Sequence, residues 1–265
     1  MSFARVRISF IFSFVLGACL SGCVGFSHAP VAKVAVNEKV RVPTLLYHHL
    51  RDLTGHVSSA QRRWTLSPKK FEAQLEWIAK QGYQPITMAQ LVAHLRHGNP
   101  LPGRPIIITF DDGWKDHYEV AFPLLQKYNF VATFFVTTDS VGHAAFVSWE
   151  QLAEMSAAGM DIQPHSLTHP YLSKISAEKA FREIAESKQA IEQHLNIPAI
   201  VFAYPYGVYT EKIIEMVKAA GYEGATTLSG YNSGYIFRKD EMYTLIRFAI
   251  ASNDNLARLA QIKGF

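Results

Sequence analysis

Two adjacent carboxylates follow an apolar, β-branched run of the sequence. Residues 105–110 are typical of a buried strand, and Asp111, Asp112 and Gly113 come directly after them. Two like charges at a buried strand end repel each other and resist desolvation, and a bound cation would remove that conflict. One carboxylate could bind the cation while the other acts as a base. A hairpin turn has the same residue types, so this stretch alone leaves turn and site open.

Two histidines, His165 and His169, stand four residues apart. In a helical turn, positions i and i+4 lie on one face, so we expect both rings to reach one ion. Pro164 before the first histidine favours an abrupt turn. Taken alone, the pair could equally be two surface histidines. Together with one carboxylate of the Asp pair, two histidines with open positions make a hydrolytic metal site.

Strand and helix patterns alternate from residue 42 onwards. Strand-like apolar segments are found at 42–47, 105–110, 131–136, 160–163, 199–203, 223–227 and 243–250. Helical patterns lie between them, with start signals at Ser67, Thr87 and Ser148. This alternation predicts a mostly parallel sheet with crossover helices. About seven such units predict an α/β fold, a (β/α) barrel that is incomplete or distorted.

In such barrels, chemistry takes place at the carboxyl ends of the strands. Most of the candidate residues lie at or near predicted strand ends: His48, His49, Asp111, Asp112, His165, His169, residues 204–207 and Arg247. Independently of any motif, these positions predict that the residues share one site.

The first 23 residues have the pattern of an export signal. Arg5 and Arg7 precede an apolar stretch at 8–20, which is too short to cross a bilayer as a mature helix. The sequence Leu-Ser-Gly-Cys ending at Cys23 resembles the bacterial lipobox, in which the cysteine is lipidated and becomes the new N-terminus. A plain signal peptide cleaved elsewhere is the alternative. We expect a signal over 1–23, a tether over 24–41 and one globular domain over 42–265.

These segments predict an exported protein that a lipid holds on a bacterial membrane. Val24, rather than Asp, follows the cysteine, which favours the periplasmic side of an outer membrane where the host has one. The two cysteines of the chain, Cys19 and Cys23, both lie in the signal, so we expect no disulfide in the domain. The formal charge is +4 and no basic cluster alternates with aromatics, which argues against nucleic-acid binding. Oligomeric state is not indicated.

Three motifs resemble those of the polysaccharide deacetylase family (NodB homology, carbohydrate esterase family 4). They are Thr-Phe-Asp-Asp-Gly at 109–113, His-Ser-Leu-Thr-His at 165–169 and Tyr-Pro-Tyr-Gly at 204–207. The resemblance covers roughly residues 42–250. Tyr47-His48-His49 resembles the branch that acts on poly-β-1,6-N-acetylglucosamine of biofilm matrix.

The resemblance implies a metal-dependent hydrolase that removes N-acetyl groups from an N-acetylglucosamine polymer. Peptidoglycan, chitin oligomers and acetylxylan are alternative substrates for the same machinery. A glycan-binding protein with little or no catalysis is the alternative of a different class. Sensitivity of acetate release to a chelator would separate an enzyme from a binding protein.

The resemblance also assigns roles to individual residues. Asp112, His165 and His169 would bind the metal, and Asp111 would be the general base that activates a water at the metal. The backbone N–H of Tyr206 would help to stabilise the oxyanion. One Asp and two His suit Zn²⁺, and also Co²⁺, Ni²⁺ or Fe²⁺.

Two family features are missing from the sequence. The third motif usually begins with an Arg that orients the base, but residues 201–204 are Val-Phe-Ala-Tyr. The last motif usually offers a His as general acid, and residues 243–248 contain none. Arg247 could orient Asp111 from that strand, unless it points outward. The general acid is therefore unassigned, with His48 and His49 as candidates.

Aromatic side chains near the motifs could stack on sugar faces. Most aromatics in proteins are core residues. We therefore predict substrate contact only for Trp114 and Tyr206, which adjoin the motifs, and for His48 beside them.

Overall fold

A nearly closed parallel sheet forms the centre of the protein. The computed structural model describes residues 39–228, 236–238 and 241–254. Twelve strands lie in these ranges: β1 (Lys39–Arg41), β2 (Thr44–Tyr47), β3 (His49–Leu50), β4 (Thr65–Leu66), β5 (Gln84–Ile86), β6 (Pro105–Asp112), β7 (Thr133–Val136), β8 (Asp161–Pro164), β9 (Val201–Ala203), β10 (Gly224–Leu228), β11 (Ile236–Arg238) and β12 (Leu245–Ala249). Seven of them follow the order β8-β7-β6-β2-β12-β10-β9, with every neighbouring pair parallel. The prediction of a distorted (β/α) barrel with about seven strands is confirmed.

Side chains link the two end strands of this sheet, β8 and β9. The amide oxygen of Gln163, on β8, accepts hydrogen bonds at 2.9 Å from the backbone N–H groups of Ile200 and Val201. His165 follows β8 and bonds the carbonyl of Ala203 on β9 at 2.8 Å. These side-chain hydrogen bonds thus complete the barrel between β8 and β9, and they satisfy backbone groups at β9.

Helices cover the outside of the sheet and close one end of it. They are α1 (Ser59–Trp64), α2 (Pro68–Lys80), α3 (Met88–His97), α4 (Phe122–Lys127), α5 (Trp149–Ala157), α6 (Ala177–Leu195) and α7 (Glu211–Ala219). The backbone N–H of Met88, at the start of α3, bonds Thr133 at the amino end of β7. The amino end of the barrel is therefore packed by α3, and the opposite end is left for the site.

The alternating side chains of the strands build two apolar layers. On β6, Ile108 and Phe110 join the larger core cluster, whereas Ile107 joins a second cluster with Val201 and Leu245. All five side chains are fully buried. This period of two follows from strand geometry and fixes which residues reach the inside of the barrel.

The predicted helix starts are confirmed. Ser67 accepts from the backbone N–H of Lys70, with Pro68 at the first helical position. Thr87 and Ser148 each form a complete capping box with the Gln three residues later. These local bonds satisfy backbone donors that the helix itself leaves free.

Several elements differ from the sequence prediction. The helix expected over 117–128 starts as a π-helical turn, His117–Ala121, before α4. Pro123 in the first turn of α4 has no N–H, which interrupts the regular bonding ladder there. The expected tether over 24–41 ends in a strand, because β1 pairs antiparallel with β11.

The short strands β3 and β4 and helix α1 were not predicted. The predicted signal and Cys23 lie outside the described residues. In the part of the chain that is described, no helix is both long and apolar enough to cross a membrane.

Candidate active site

A cavity of about 260 Å³ opens at the carboxyl ends of the strands. It is lined by His48, His49, Trp64, Asp111, Asp112, Trp114, His165, His169, Tyr206, Gly207 and Leu228. The lining comes from the carboxyl ends of β6 and β10, from the segments that follow β2, β6, β8 and β9, and from the end of α1. The structure therefore brings the sequence-predicted site residues together, with Arg247 directly behind Asp111.

Asp112, His165 and His169 point their ligand atoms at one another. Oδ1 of Asp112 lies 3.7 Å from Nε2 of His165 and 3.5 Å from Nε2 of His169. The two Nε2 atoms are 3.1 Å apart. Among the described residues these three form the one group of ligand atoms that lie within 4.8 Å of one another. Two ring nitrogens and a carboxylate oxygen are a donor set that fits a divalent transition metal.

A loop, rather than a helical turn, brings the two histidines together. Ser166 and His169 both have left-handed backbone, with φ of 64° and 63°. The hydroxyl of Ser166 accepts from the N–H of His169 at 2.9 Å. Glu183 on α6 accepts two further backbone N–H bonds, including one of 2.8 Å from Thr168. The predicted helical turn was therefore wrong, because these bonds stabilise an irregular loop instead.

Neighbouring groups orient each histidine. Nδ1 of His165 donates to the Ala203 carbonyl, which can only accept, so Nε2 keeps its lone pair for a ligand bond. The ring of His169 packs edge-on against Tyr206 at 4.5 Å, and Tyr171 stacks on Tyr206 at 3.8 Å. Burial, and then the neighbouring His165, lower the pKa of His169, which favours the neutral, ligand-competent ring.

Arg247 forms a two-bond ion pair with Asp111. Nη1 donates to Oδ1 at 2.5 Å and Nη2 to Oδ2 at 2.8 Å, and both side chains are buried. The alternative of an outward-pointing Arg is excluded, since Arg247 has no exposed surface. Burial alone would raise the pKa of Asp111, but Arg247, followed by His165, outweighs burial and lowers it to about 2. Asp111 is thus held ionised in a fixed orientation.

The loop after β9 is shaped by backbone that only certain residues adopt. Tyr206 has φ of 60° and Gly207 has φ of 68°. A Cβ on Gly207 would lie 2.8 Å from the backbone nitrogen of Leu228, so no side chain fits there. The Tyr206 side chain is 45% exposed at the rim of the cavity. Its predicted roles, in oxyanion stabilisation and substrate contact, remain predictions.

Trp114, His48 and His49 line the same cavity as the carboxylates. The indole N–H of Trp114 donates to Oδ2 of Asp112 at 2.9 Å. The ring of His48 contacts Trp64 at 4.3 Å, and burial lowers the pKa of His48 to about 4. Nδ1 of His49 lies 3.3 Å from Oδ2 of Asp116.

Sequence reasoning missed three supporting groups: Glu183, Asp116 and the carbonyl of Ala203. Glu183 and Asp116 act through loops that lack a periodic signal. A backbone carbonyl has no sequence signature at all. Their contacts with the site residues depend on which strand ends lie beside one another, and the three-dimensional structure supplies that information.

Comparison with known proteins agrees with this geometry. A profile of the polysaccharide deacetylase family matches residues 98–225. YxkH of Bacillus subtilis (strain 168) is 29% identical over 221 residues, which are 83% of this chain and 75% of that protein. Poly-beta-1,6-N-acetyl-D-glucosamine N-deacetylase of Escherichia coli (strain K12) is 25% identical, and the match covers 81% of this chain. That match spans only 37% of the E. coli protein.

A solved structure has the same fold. The Streptococcus pyogenes deacetylase PplD, in complex with acetate, superimposes with a TM-score of 0.75 at 27% identity. The match covers 84% of this chain and 97% of PplD. The barrel, the three motifs and these similarities agree: the chain carries a polysaccharide deacetylase domain (NodB homology, carbohydrate esterase family 4), and its relatives support a deacetylase hydrolase.

Proposed function

We propose that the protein is a metal-dependent N-deacetylase of an N-acetylglucosamine polymer, with poly-β-1,6-N-acetylglucosamine as the favoured substrate. The observation that carries the proposal is the convergence of Asp112, His165 and His169 beside an ionised Asp111. A pure glycan-binding protein would have no need for a metal donor set next to a carboxylate held by a buried arginine.

Each side chain of the site has a distinct task in the proposed reaction. A divalent ion, most suitably Zn²⁺, would be held by Asp112, His165 and His169, and it would supply Lewis-acid polarisation and a more acidic water. Asp111 takes a proton from the attacking water, and Arg247 keeps that carboxylate ionised and aimed.

The reaction consumes one water for each acetyl group. The water oxygen forms a bond to the acetamide carbon while Asp111 accepts the proton. The carbon–nitrogen bond then breaks, the sugar nitrogen receives a proton, and acetate and a free amine leave. The backbone N–H of Tyr206 is proposed to donate to the developing oxyanion.

His48 and His49 are both candidates for the proton donor to the amine. Both line the cavity. His48 is half-buried, and its lowered pKa keeps the free ring neutral at neutral pH. His49 lies against Asp116, with Nδ1 3.3 Å from Oδ2 of that carboxylate. Replacing each histidine by Ala and comparing the alkaline limbs of the pH–rate profiles would separate the two candidates.

The names of two relatives, together with the shape of the cavity, support poly-β-1,6-N-acetylglucosamine as the polymer. The Escherichia coli relative and one from Staphylococcus aureus (strain MRSA252) carry the name poly-beta-1,6-N-acetyl-D-glucosamine N-deacetylase. The chain spans 37% and 60% of these proteins, respectively. A small cavity that is open to solvent suits an acetamido group presented by a longer chain.

Acetate release from a panel of polymers tests the proposal. The panel contains oligomers of β-1,6-N-acetylglucosamine, chitin oligomers, peptidoglycan and acetylxylan. We expect the highest rate on the β-1,6 oligomers, loss of activity after chelation and its recovery on adding Zn²⁺. Asp111→Asn is the inactive control. A higher rate on another polymer would identify that polymer as the preferred substrate. No acetate release from any of the polymers would favour a glycan-binding protein.

We further propose that the domain is exported and held on the membrane by a lipid at Cys23. This proposal rests on residues 1–23, which lie outside the described structure. A tethered enzyme would act on polymer at the membrane surface, where matrix polysaccharides pass.

A further inference from the structure

We infer that Trp114 is a positioning residue that fixes how Asp112 binds the metal. The inference rests on the proposed metal site of Asp112, His165 and His169. The two oxygens of Asp112 have different partners: Oδ1 faces the two histidine Nε2 atoms, at 3.7 and 3.5 Å, and Oδ2 accepts the indole N–H of Trp114 at 2.9 Å. Oδ1 is therefore the oxygen left free for an ion, and Asp112 would hold the ion through that oxygen.

A sharp backbone turn returns the indole to a carboxylate two residues earlier. Asp112 and Gly113 both have left-handed backbone, with φ of 78° and 82°. A Cβ on Gly113 would meet Val136 at 3.1 Å, so glycine suits both the turn and the close packing. Left-handed backbone at a residue other than glycine is strained, and the surrounding structure must hold it in place.

Backbone pairing holds the segment that carries the indole. Trp114 forms an antiparallel bridge with Phe146. On either side of it, Lys115 donates to the carbonyl of Ala145 at 2.9 Å, and Val147 donates to that of Gly113 at 3.0 Å. The position of Trp114 is thus determined by main-chain bonds that are independent of any substrate.

Ring contacts fix the direction of the indole N–H. Phe146 stacks on Trp114 with ring centroids 4.4 Å apart, and the ring of His49 lies 4.5 Å away. A donor held in this way needs no reorganisation when the ion binds. Outer-shell donors of this kind change metal affinity about 10- to 100-fold when they are lost.

This role differs from the sugar stacking that the sequence predicted for Trp114. A sugar platform would affect KM for the polymer at any metal concentration. A positioning donor would instead weaken metal binding and leave KM unchanged once the metal site is full. The difference can be measured on one variant, Trp114→Phe, which keeps an aromatic ring and removes the N–H.

The experiment measures Zn²⁺ affinity of the full chain by competition with a chelator, together with acetate release at rising free Zn²⁺. Trp114→Phe should bind Zn²⁺ about 10- to 100-fold more weakly, with activity recovered at saturating Zn²⁺ and KM unchanged. Trp149→Phe is the matched control, because Trp149 stacks on His194 outside the cavity. Thermal unfolding of the metal-free proteins checks that both variants fold.

The outcomes separate this inference from the proposed function. Wild-type affinity in Trp114→Phe, or a raised KM that Zn²⁺ does not correct, overturns the inference and leaves the metal site in place. A wild-type protein that binds no Zn²⁺ overturns both.

A second measurement does not require Trp114→Phe to fold. In the wild-type chain, the indole N–H proton of Trp114 can be assigned by NMR from Phe variants of the other three tryptophans. It should shift upfield in Asp112→Ala, as expected for a lost hydrogen bond. An unchanged resonance would mean that the bond is absent and would overturn the inference.

Discussion

Arg247→Ala should both destabilise the fold and slow the reaction. Arg247 is fully buried on β12, and its guanidinium forms two bonds with Asp111 and one of 3.3 Å with the Thr109 hydroxyl. Removing it leaves the buried carboxylate of Asp111 without its main counter-charge. Burial then becomes the dominant influence and raises the pKa of Asp111.

The burial of both partners sets the size of this effect. Breaking a buried ion pair from one side costs about 3–5 kcal/mol of unfolding free energy. The pKa of Asp111, lowered from 3.8 to about 2, independently corresponds to about 2 kcal/mol in favour of the ionised form. The second figure is smaller because it already includes the burial of the carboxylate. We expect a loss of about 3 kcal/mol at neutral pH, and about a 10²-fold loss of turnover from misplacement of the base.

The pH dependence has a defined sign. Because folding lowers the pKa of Asp111, the pair contributes its full stability above pH 3.8 and loses it as the pH falls towards 2. The difference in unfolding free energy between wild type and Arg247→Ala should therefore be largest above the raised pKa of Asp111 in the variant and shrink as the pH falls from there towards 2. In the rate profile of the variant, the acid limb should move to higher pH.

Urea unfolding, metal content and acetate release on the same preparations test this reasoning. Arg247→Lys should rescue poorly, because a point charge cannot replace a planar two-bond fork. Asp111→Asn added to Arg247→Ala should restore much of the stability but none of the rate. Arg182→Ala, which removes an exposed pair with Glu186, should leave both unchanged. A normal rate and normal stability in Arg247→Ala would refute the proposed role.

Four further predictions concern the site and the anchor. His169→Ala should lose metal, by elemental analysis, and acetate release together, while circular dichroism stays unchanged. Asp111→Asn should keep its metal while turnover falls ~10²–10⁴-fold, whereas Asp112→Asn should lose metal and rate together; the reverse pattern would exchange the two roles. Gly207→Ala should lower both the melting temperature and the rate, because its φ of 68° and a contact at 2.8 Å leave no room for a Cβ. Cys23→Ser should remove the lipid from the mature protein, and an unchanged mass and membrane fraction would disprove the anchor.

The barrel and the meeting of its strand ends follow from features that the sequence displays directly. Apolar runs such as 105–110 mark buried strands, and capping residues such as Thr87 and Ser148 mark helix starts. Both signals are local, so they can be recognised without knowing which strands are neighbours. The convergence of strand ends is a general property of parallel barrels and needs no further information.

Contacts between strands that are distant in sequence could not be predicted in the same way. Arg247 reaches Asp111 because β12 and β6 both flank β2 and because the register turns Arg247 inward. A one-residue slip would have placed it outside. The link between β8 and β9 through Gln163 is equally non-local. The sequence identified Arg247 as a candidate partner of Asp111. The register of β12 against β2 determines that its side chain points into the barrel rather than outward.

Asp111 and Asp112 depart from the regular alternation of side chains along a strand. Successive residues of a strand point to opposite faces, so Asp111 and Asp112 should not reach one cavity. They do so because Asp112 takes left-handed backbone at the end of β6. Such backbone costs about 1–3 kcal/mol at a residue other than glycine. The protein therefore holds strain at the position that, in the proposed site, contributes the one carboxylate ligand, and Gly113 and Trp114 stabilise that turn. A general base and a metal ligand at adjacent positions can therefore face one cavity only where the backbone departs from regular strand geometry. In the sequence, the glycine directly after the Asp pair indicates this departure.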